Sequence, residues 1–155
     1  MIYRIRTILD VEDDVIRDLE VKVSSSLIDL HKIISKSYGF AGKEIASFYY
    51  TNENWEQGQE MSLIDIESDY KNLKLDSIFS KENRRLLYVY DFLALWTFYI
   101  QVIEKKVSIK GVTYPNIVFS KGEVPEIPPK KDFNSLISAN EIEKNNDDDY
   151  PDEFY

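Results

Sequence analysis

Few side chains in this sequence can do acid–base or metal chemistry, and they are scattered. The 155 residues contain one histidine, His31, and no cysteine. Without thiols there are no disulfides, thiolate zinc sites or cysteine nucleophiles. A lone imidazole excludes clusters of histidine ligands and leaves one candidate for any triad or dyad that needs histidine. In the helical register of SLIDLHKIISKSYGF, His31 falls one turn after Leu27 and beside Leu30, at the edge of the apolar face. There it is either a general base or a boundary histidine that packs its ring and makes one hydrogen bond. General-base work also needs a pocket and an orienting partner, so the boundary role is expected.

Asp91 is the one charge in the apolar run Leu86–Ile103, LLYVYDFLALWTFYIQVI. A carboxylate there is costly unless paired or near water. It reads either as a buried acid with a raised pKa or as a strand-end acceptor for turn amides, and the second is expected. The stretch Asp65, Glu67, Asp69 superficially resembles the start of a calcium loop. Tyr70 stands where that loop needs glycine, and Asp76 where it needs glutamate, so no metal site is expected. Lys71, Lys74, Lys81, Arg84 and Arg85 form a loose basic stretch able to touch phosphates. A solvated face or protection of a sheet edge is the commoner use of such residues. The five glycines are unclustered, which excludes a phosphate loop, and no Gly-x-Ser-x-Gly elbow occurs. No catalytic residue, metal or cofactor is assigned.

The elements that must position these groups follow from periodicity. In YRIRTILD, Tyr3, Ile5 and Leu9 alternate with Arg4 and Arg6. In VIRDLEVKV, Leu19, Val21 and Val23 oppose Asp18, Glu20 and Lys22. Two alternating strands joined by the acidic link 10–14 read as a hairpin. The period then changes: Leu27, Leu30, Ile33, Ile34 and Tyr38 share one side of a helix, with Ser26 and Asp29 as a weakened capping box and Gly39 as a left-handed stop. ASFYYTN is a strand, Met61–Ile66 a short strand, and Leu73–Phe79 a short turn of helix. The apolar run is too short and too rich in β-branched and aromatic residues for a membrane helix. Trp96, Phe98, Ile100 and Val102 alternate with Thr97, Tyr99 and Gln101, so it reads as two strands with a reversal near Phe92–Leu95. Beyond Lys105 glycine and proline recur, and coil is expected.

The fold predicted is α+β, with a mixed, mainly antiparallel sheet and one main helix packed on it, in the order β-β-α-β-(β)-short α-β-β. The net charge of −9 is uneven. Residues 132–155 hold eight acidic residues and one lysine, a net −7, which leaves −2 for residues 1–131. A single domain over 1–131 with a flexible acidic extension over 132–155 is therefore expected. The N-terminus, MIYRIRTILDVEDD, lacks a continuous apolar segment, and a cytoplasmic protein with no membrane contact is expected.

Several ordered pieces resemble the Ri-plasmid ORF-three-like family, also known as passenger proteins of insertion elements. They are YRIRTIL, the arginine-containing IRDLEV, the helix SLIDLHKIISKSYGF with Leu30-His31 and Gly39-Phe40, the aromatic strand ASFYY, YDFLALW and the pair Tyr114-Pro115. The resemblance covers roughly residues 3–125. It implies an α+β fold and a bacterial plasmid or mobile-element setting, and it implies no reaction. Leu93 and Ala94 stand where typical members carry glycine and aspartate, and VFSKGEVPEIPP lacks their cysteine. These departures resemble a divergent, Bacteroidetes-type branch.

Function is accordingly read as a non-enzymatic interaction or accessory protein, with an unknown protein partner or self-association. The expected contact residues are Phe92, Leu93, Leu95 and Trp96 at the apolar tip and Tyr150, Phe154 and Tyr155 in the tail, because exposed aromatic clusters anchor interfaces. The second reading is a nucleic-acid-associated accessory protein using the basic stretch 71–85. The third is an enzyme with a carboxylate-based site near Asp91 and His31.

Overall fold

The computed structural model describes residues 1–64 and 69–131. Seven strands are present: β1 (Ile2–Leu9), β2 (Ile16–Lys22), β3 (Ala46–Tyr50), β4 (Glu60–Ser62), β5 (Arg85–Tyr90), β6 (Trp96–Lys106) and β7 (Asn116–Lys121). They form one sheet in the order β4-β3-β5-β6-β1-β2-β7, and every neighbouring pair is antiparallel. One long helix, α1 (Leu27–Ser37), covers one face, and a single turn, α2 (Leu75–Ile78), follows a 3₁₀ turn at Tyr70–Asn72. This is the α+β plan expected. Among the described residues no helix is long and apolar enough to cross a membrane.

The ends of α1 are fixed by local chemistry. The Ser26 side chain accepts from the Asp29 amide, and the Asp29 carboxylate accepts from the Ser26 amide, so Asp serves in this capping box. At the other end Gly39 adopts φ +79°, the Phe40 amide donates to the Ser35 carbonyl at 2.8 Å and the Gly39 amide to Lys36 at 3.1 Å. This is a complete Schellman stop. It also throws the Phe40 ring against Tyr90 (centroids 4.9 Å, stacked) and Trp96 (5.4 Å), which plugs the core at the helix end. Leu27, Leu30, Ile33 and Ile34 are buried against the sheet, each contributing about 1.5–3 kcal/mol.

The second face of the sheet is not simply polar. Leu87, Val89, Tyr49 and Leu95 form a small separate core there, with Trp55, Phe92 and Tyr99 against it. Beside it Asp18, whose side chain is fully buried, receives Arg4 Nη2 and Arg6 Nε at 2.9 Å each, and Glu20 pairs with Lys106 at 2.6 Å. Burial pushes the Asp18 carboxyl up, and the hydrogen bonds from Arg6 and Arg4 outweigh it, so it lies below the usual carboxylate value. The period-two pattern of charges on β1 and β2 is therefore a layer of cross-strand ion pairs.

One expectation is corrected. The chain beyond Lys105 is not coil throughout: β6 runs to Lys106, and β7 pairs with β2 across a bulge between Asp18 and Leu19. Arg17 holds this arrangement. Its guanidinium donates to the Ser37 carbonyl of α1 and to the Lys121 and Gly122 carbonyls at the end of β7, and it lies 5.0 Å over the Tyr38 ring. Gly122, at φ +78°, packs its Cα against the Asp14 carbonyl so closely that any Cβ would collide with it.

Candidate functional site

His31 and Asp91 each have structural partners. His31 Nε2 lies 3.2 Å from the Gly42 carbonyl, which can only accept, so this nitrogen carries the proton. Nδ1 then accepts from the Tyr88 hydroxyl at 2.6 Å. Burial lowers the His31 pKa, the Gly42 carbonyl opposes that, and Lys32 adds to it, which leaves a neutral imidazole. Tyr88 is raised well above the ordinary phenol by burial, so it remains the donor. The ring belongs to the main core, with Tyr88 and Tyr90 against it.

Asp91 builds the reversal between β5 and β6. Its Oδ1 accepts from the Leu93 and Ala94 amides at 3.1 and 3.3 Å, and its carbonyl accepts from the Leu95 amide at 2.6 Å. Asp91 and Leu95 both take positive φ, +64° and +55°. An Asx turn explains the first; for leucine such a conformation is strained. Leu95 is held there because its side chain is 97% buried in the second core. No hydrogen bond joins Asp91 to His31, and each carries a separate turn or helix contact.

The apolar tip divides. Leu93 is 96% exposed, Phe92 is half-buried against the second core, and Leu95 and Trp96 are buried. The last two present no surface to a partner, because Leu95 fills the second core and Trp96 fills the first. Tyr150, Phe154 and Tyr155 lie outside the described residues. Of the basic stretch, Lys81, Arg84 and Arg85 line a shallow cavity of about 170 Å³ together with Glu53 and Glu82. Arg85 donates to the Glu53 carbonyl at 2.6 Å and stacks 4.8 Å over Trp55, on the face opposite α1. Lys71 sits in the 3₁₀ turn and Lys74 at the start of α2. Lys81 and Arg84 join Lys105, a residue the sequence did not single out, around a cavity of about 260 Å³ beside Tyr3 and Phe79. The only advance signal for this grouping was the basic character of 81–84.

At the opposite end of β1 a larger groove of about 780 Å³ runs between the β1–β2 link and the segment after β7. Val11, Val15 and Val124 line it, with Glu12, Asp13 and Glu123 at its rim. Among the described residues no three histidine, aspartate or glutamate side chains gather to hold a metal ion.

Comparison with known proteins addresses the fold and the family. A protein of unknown function from Methanosarcina mazei Go1, known from a crystal structure, matches with a TM-score of 0.69 and 24% identity. The match covers 81% of this chain and 72% of that one, and at that identity it speaks to the fold alone. No curated protein matches. The model of the plasmid pRiA4b ORF-3-like proteins matches residues 1–148. Within that span lie the Arg17 clamp, the His31–Tyr88 pair, the Gly39-Phe40 stop and the Asp91 turn, and the chain is a member of the plasmid pRiA4b ORF-3-like family.

Proposed function

We propose that the protein is a non-enzymatic interaction protein, accessory to the plasmid and mobile-element setting of its family, and that it self-associates through β7. One observation carries this reading. The two residues that the sequence offered as a candidate acid–base site, His31 and Asp91, are both engaged in fold-organising hydrogen bonds, whereas the outer strand of the sheet has apolar residues open to solvent. Ile117, Val118 and Phe119 are each about 40% exposed, and among the described residues nothing pairs with the outer edge of β7. An uncovered edge strand of high β-propensity recruits another strand.

A second copy is the occupant that fits. Antiparallel pairing of β7 with itself about a twofold axis between Val118 and Phe119 sets Lys121 opposite Asn116, so no like charges meet. Leu93, alone at its turn, is too isolated to carry an interface. The cytoplasmic setting is part of the same proposal, supported by the absence of any cysteine for an oxidising compartment to pair. So is a divergent, Bacteroidetes-type branch, supported by Leu93 and Ala94 in the turn.

Analytical ultracentrifugation across the micromolar range tests the pairing. The wild type should be a dimer, and Val118→Lys and Phe119→Lys should each give a folded monomer with unchanged melting. A wild type that stays monomeric, or a dimer that survives both substitutions, would refute it.

A further inference from the structure

We propose that the cavity bounded by β1, β6 and the turn after α2 binds a small phosphate monoester carrying a compact apolar group. Tyr3, Phe79 and Val102 supply its apolar lining, Ser80 a hydroxyl, and Lys81, Arg84 and Lys105 its charge. The proposal is independent of pairing at β7.

Two separate observations point to an anion. The first is charge. No carboxylate lines this cavity, and among the described residues none of the three cations is in an ion pair; Lys81 and Arg84 also border the adjoining cavity that holds Glu53 and Glu82, and Lys105 lies 5.9 Å over the Tyr3 ring. Arg4, Arg6, Lys106, Lys121 and Lys131 have acidic partners, and the three cations here are set apart from the molecule's other unpaired lysines by converging on one cavity. The second is an unused donor. Tyr3 is 5% exposed, yet its hydroxyl has no hydrogen-bond partner among the described residues. The other tyrosines buried as deeply are all partnered: Tyr38 with Thr7, Tyr49 with Glu60, Tyr88 with His31 and Tyr90 with the Gly42 amide. Burial first, and then the field of Asp76, raises the Tyr3 pKa, so the hydroxyl keeps its proton and donates. Asp76 itself does not line the cavity.

The class of anion follows from charge and size. A phosphate monoester carries about −1.5 to −2 near neutral pH and presents three acceptor oxygens, a match for three cations and the Tyr3 hydroxyl. A carboxylate supplies one charge and leaves the three cations undercompensated. The arginine fork adds a bidentate contact that favours planar or tetrahedral oxyanions. At about 260 Å³ the cavity lies just below the usual range for small-molecule pockets, which begins near ~300 Å³, so the ligand is compact. Its apolar group would rest on Phe79 and Val102. Tyr3 and Phe79 already meet edge to face at 5.6 Å, which fixes the apolar lining before a ligand arrives.

The test is calorimetric titration of the full chain with phenyl phosphate, inorganic phosphate, benzoate and a single-stranded oligonucleotide. Phenyl phosphate should bind one to one, benzoate at least about tenfold more weakly for want of a charge-assisted hydrogen bond, and inorganic phosphate about tenfold more weakly for want of the apolar group. Arg84→Gln and Lys105→Gln should each weaken phenyl phosphate about tenfold, and Tyr3→Phe several-fold, with unchanged melting, since the charged heads are exposed and the ring is kept. Absent or non-saturable phenyl phosphate binding overturns the proposal. So does affinity that survives the Arg84→Gln, Lys105→Gln double substitution, or equal affinity for benzoate or inorganic phosphate. Oligonucleotide binding with a steep salt dependence, in place of phenyl phosphate binding, would assign the three cations to nucleic acid instead.

Discussion

The His31 site and the Tyr3 cavity differ in one respect that decides their roles. Both bury a tyrosine on the helix-facing side of the sheet and both carry a group able to bear positive charge. Around His31 the accounts close: Tyr88 donates to Nδ1, Nε2 donates to Gly42, and Ser35 donates to the His31 carbonyl at 2.7 Å. Around Tyr3 they stay open: among the described residues its hydroxyl has no hydrogen-bond partner and Lys81, Arg84 and Lys105 are in no ion pair. Buried polar groups are nearly always partnered, so an unpartnered one is informative where a partnered one is not. A lone buried histidine attracts attention in a sequence, but here it organises the core.

Substitutions can break this comparison at its extremes. Asp18 is the most fully partnered charge, and Asp18→Ala should cost about 3 kcal/mol in urea unfolding, since it removes the centre of a buried ion-pair layer. A loss below about 1 kcal/mol would mean that partnering at the sheet is decorative. The acid limb follows the same logic. The Asp18 carboxyl is lowered in the folded state, so its contribution is present above the unfolded value near about 3.9 and is lost as pH falls through the lower folded value.

The two tyrosines sharpen the contrast. Tyr88→Phe strands His31 Nδ1 without its donor and should cost about 1–3 kcal/mol, whereas Tyr3→Phe removes an unpaired hydroxyl and should fall within about 0.5 kcal/mol of the wild type. Equal losses in thermal or chemical unfolding would erase the distinction on which the cavity rests.

The smallest effect is the histidine's pH dependence. His31 is lowered in the folded state, so the unfolded chain binds the proton first as pH falls below about 6.5. Stability is full above that value and declines below it, by at most about 1.4 kcal/mol per pH unit. His31→Gln should flatten this limb between the two pKa values. An unchanged limb would show that His31 is charged or exposed in the folded protein.

Local chemistry made much of the fold legible. Ser26, Asp29, Gly39 and the Leu27–Tyr38 stripe specify α1 within their own stretch, and alternation specifies β1, β2 and the paired strands β5 and β6. The odd reversal at Phe92–Leu95 was legible in position but not in mechanism: Asp91, one residue earlier, supplies the turn acceptor, and burial of Leu95 offsets its backbone strain. β7 escaped notice because NIVFSK sits between proline and glycine, lacks clean alternation and pairs with β2 roughly a hundred residues away, with a bulge that breaks the register.

The candidate site was less legible, for the same reason at a larger scale. Lys81, Arg84 and Arg85 were visible as a basic stretch; that they line one cavity with Glu53 and Glu82, and that Arg85 stacks on Trp55, was not. Tyr3 and Lys105 lie about a hundred residues apart along the chain and meet only because β1 pairs with β6. The amino-acid sequence alone settled which chemistries lack the residues they need, where the helix begins and stops, and which strands exist in its first two-thirds, since all of these depend on composition or on neighbours within a few residues. Only the tertiary structure decided which polar groups find partners. That depends on strand order and register, and those bring together residues whose separation along the chain carries no local signal.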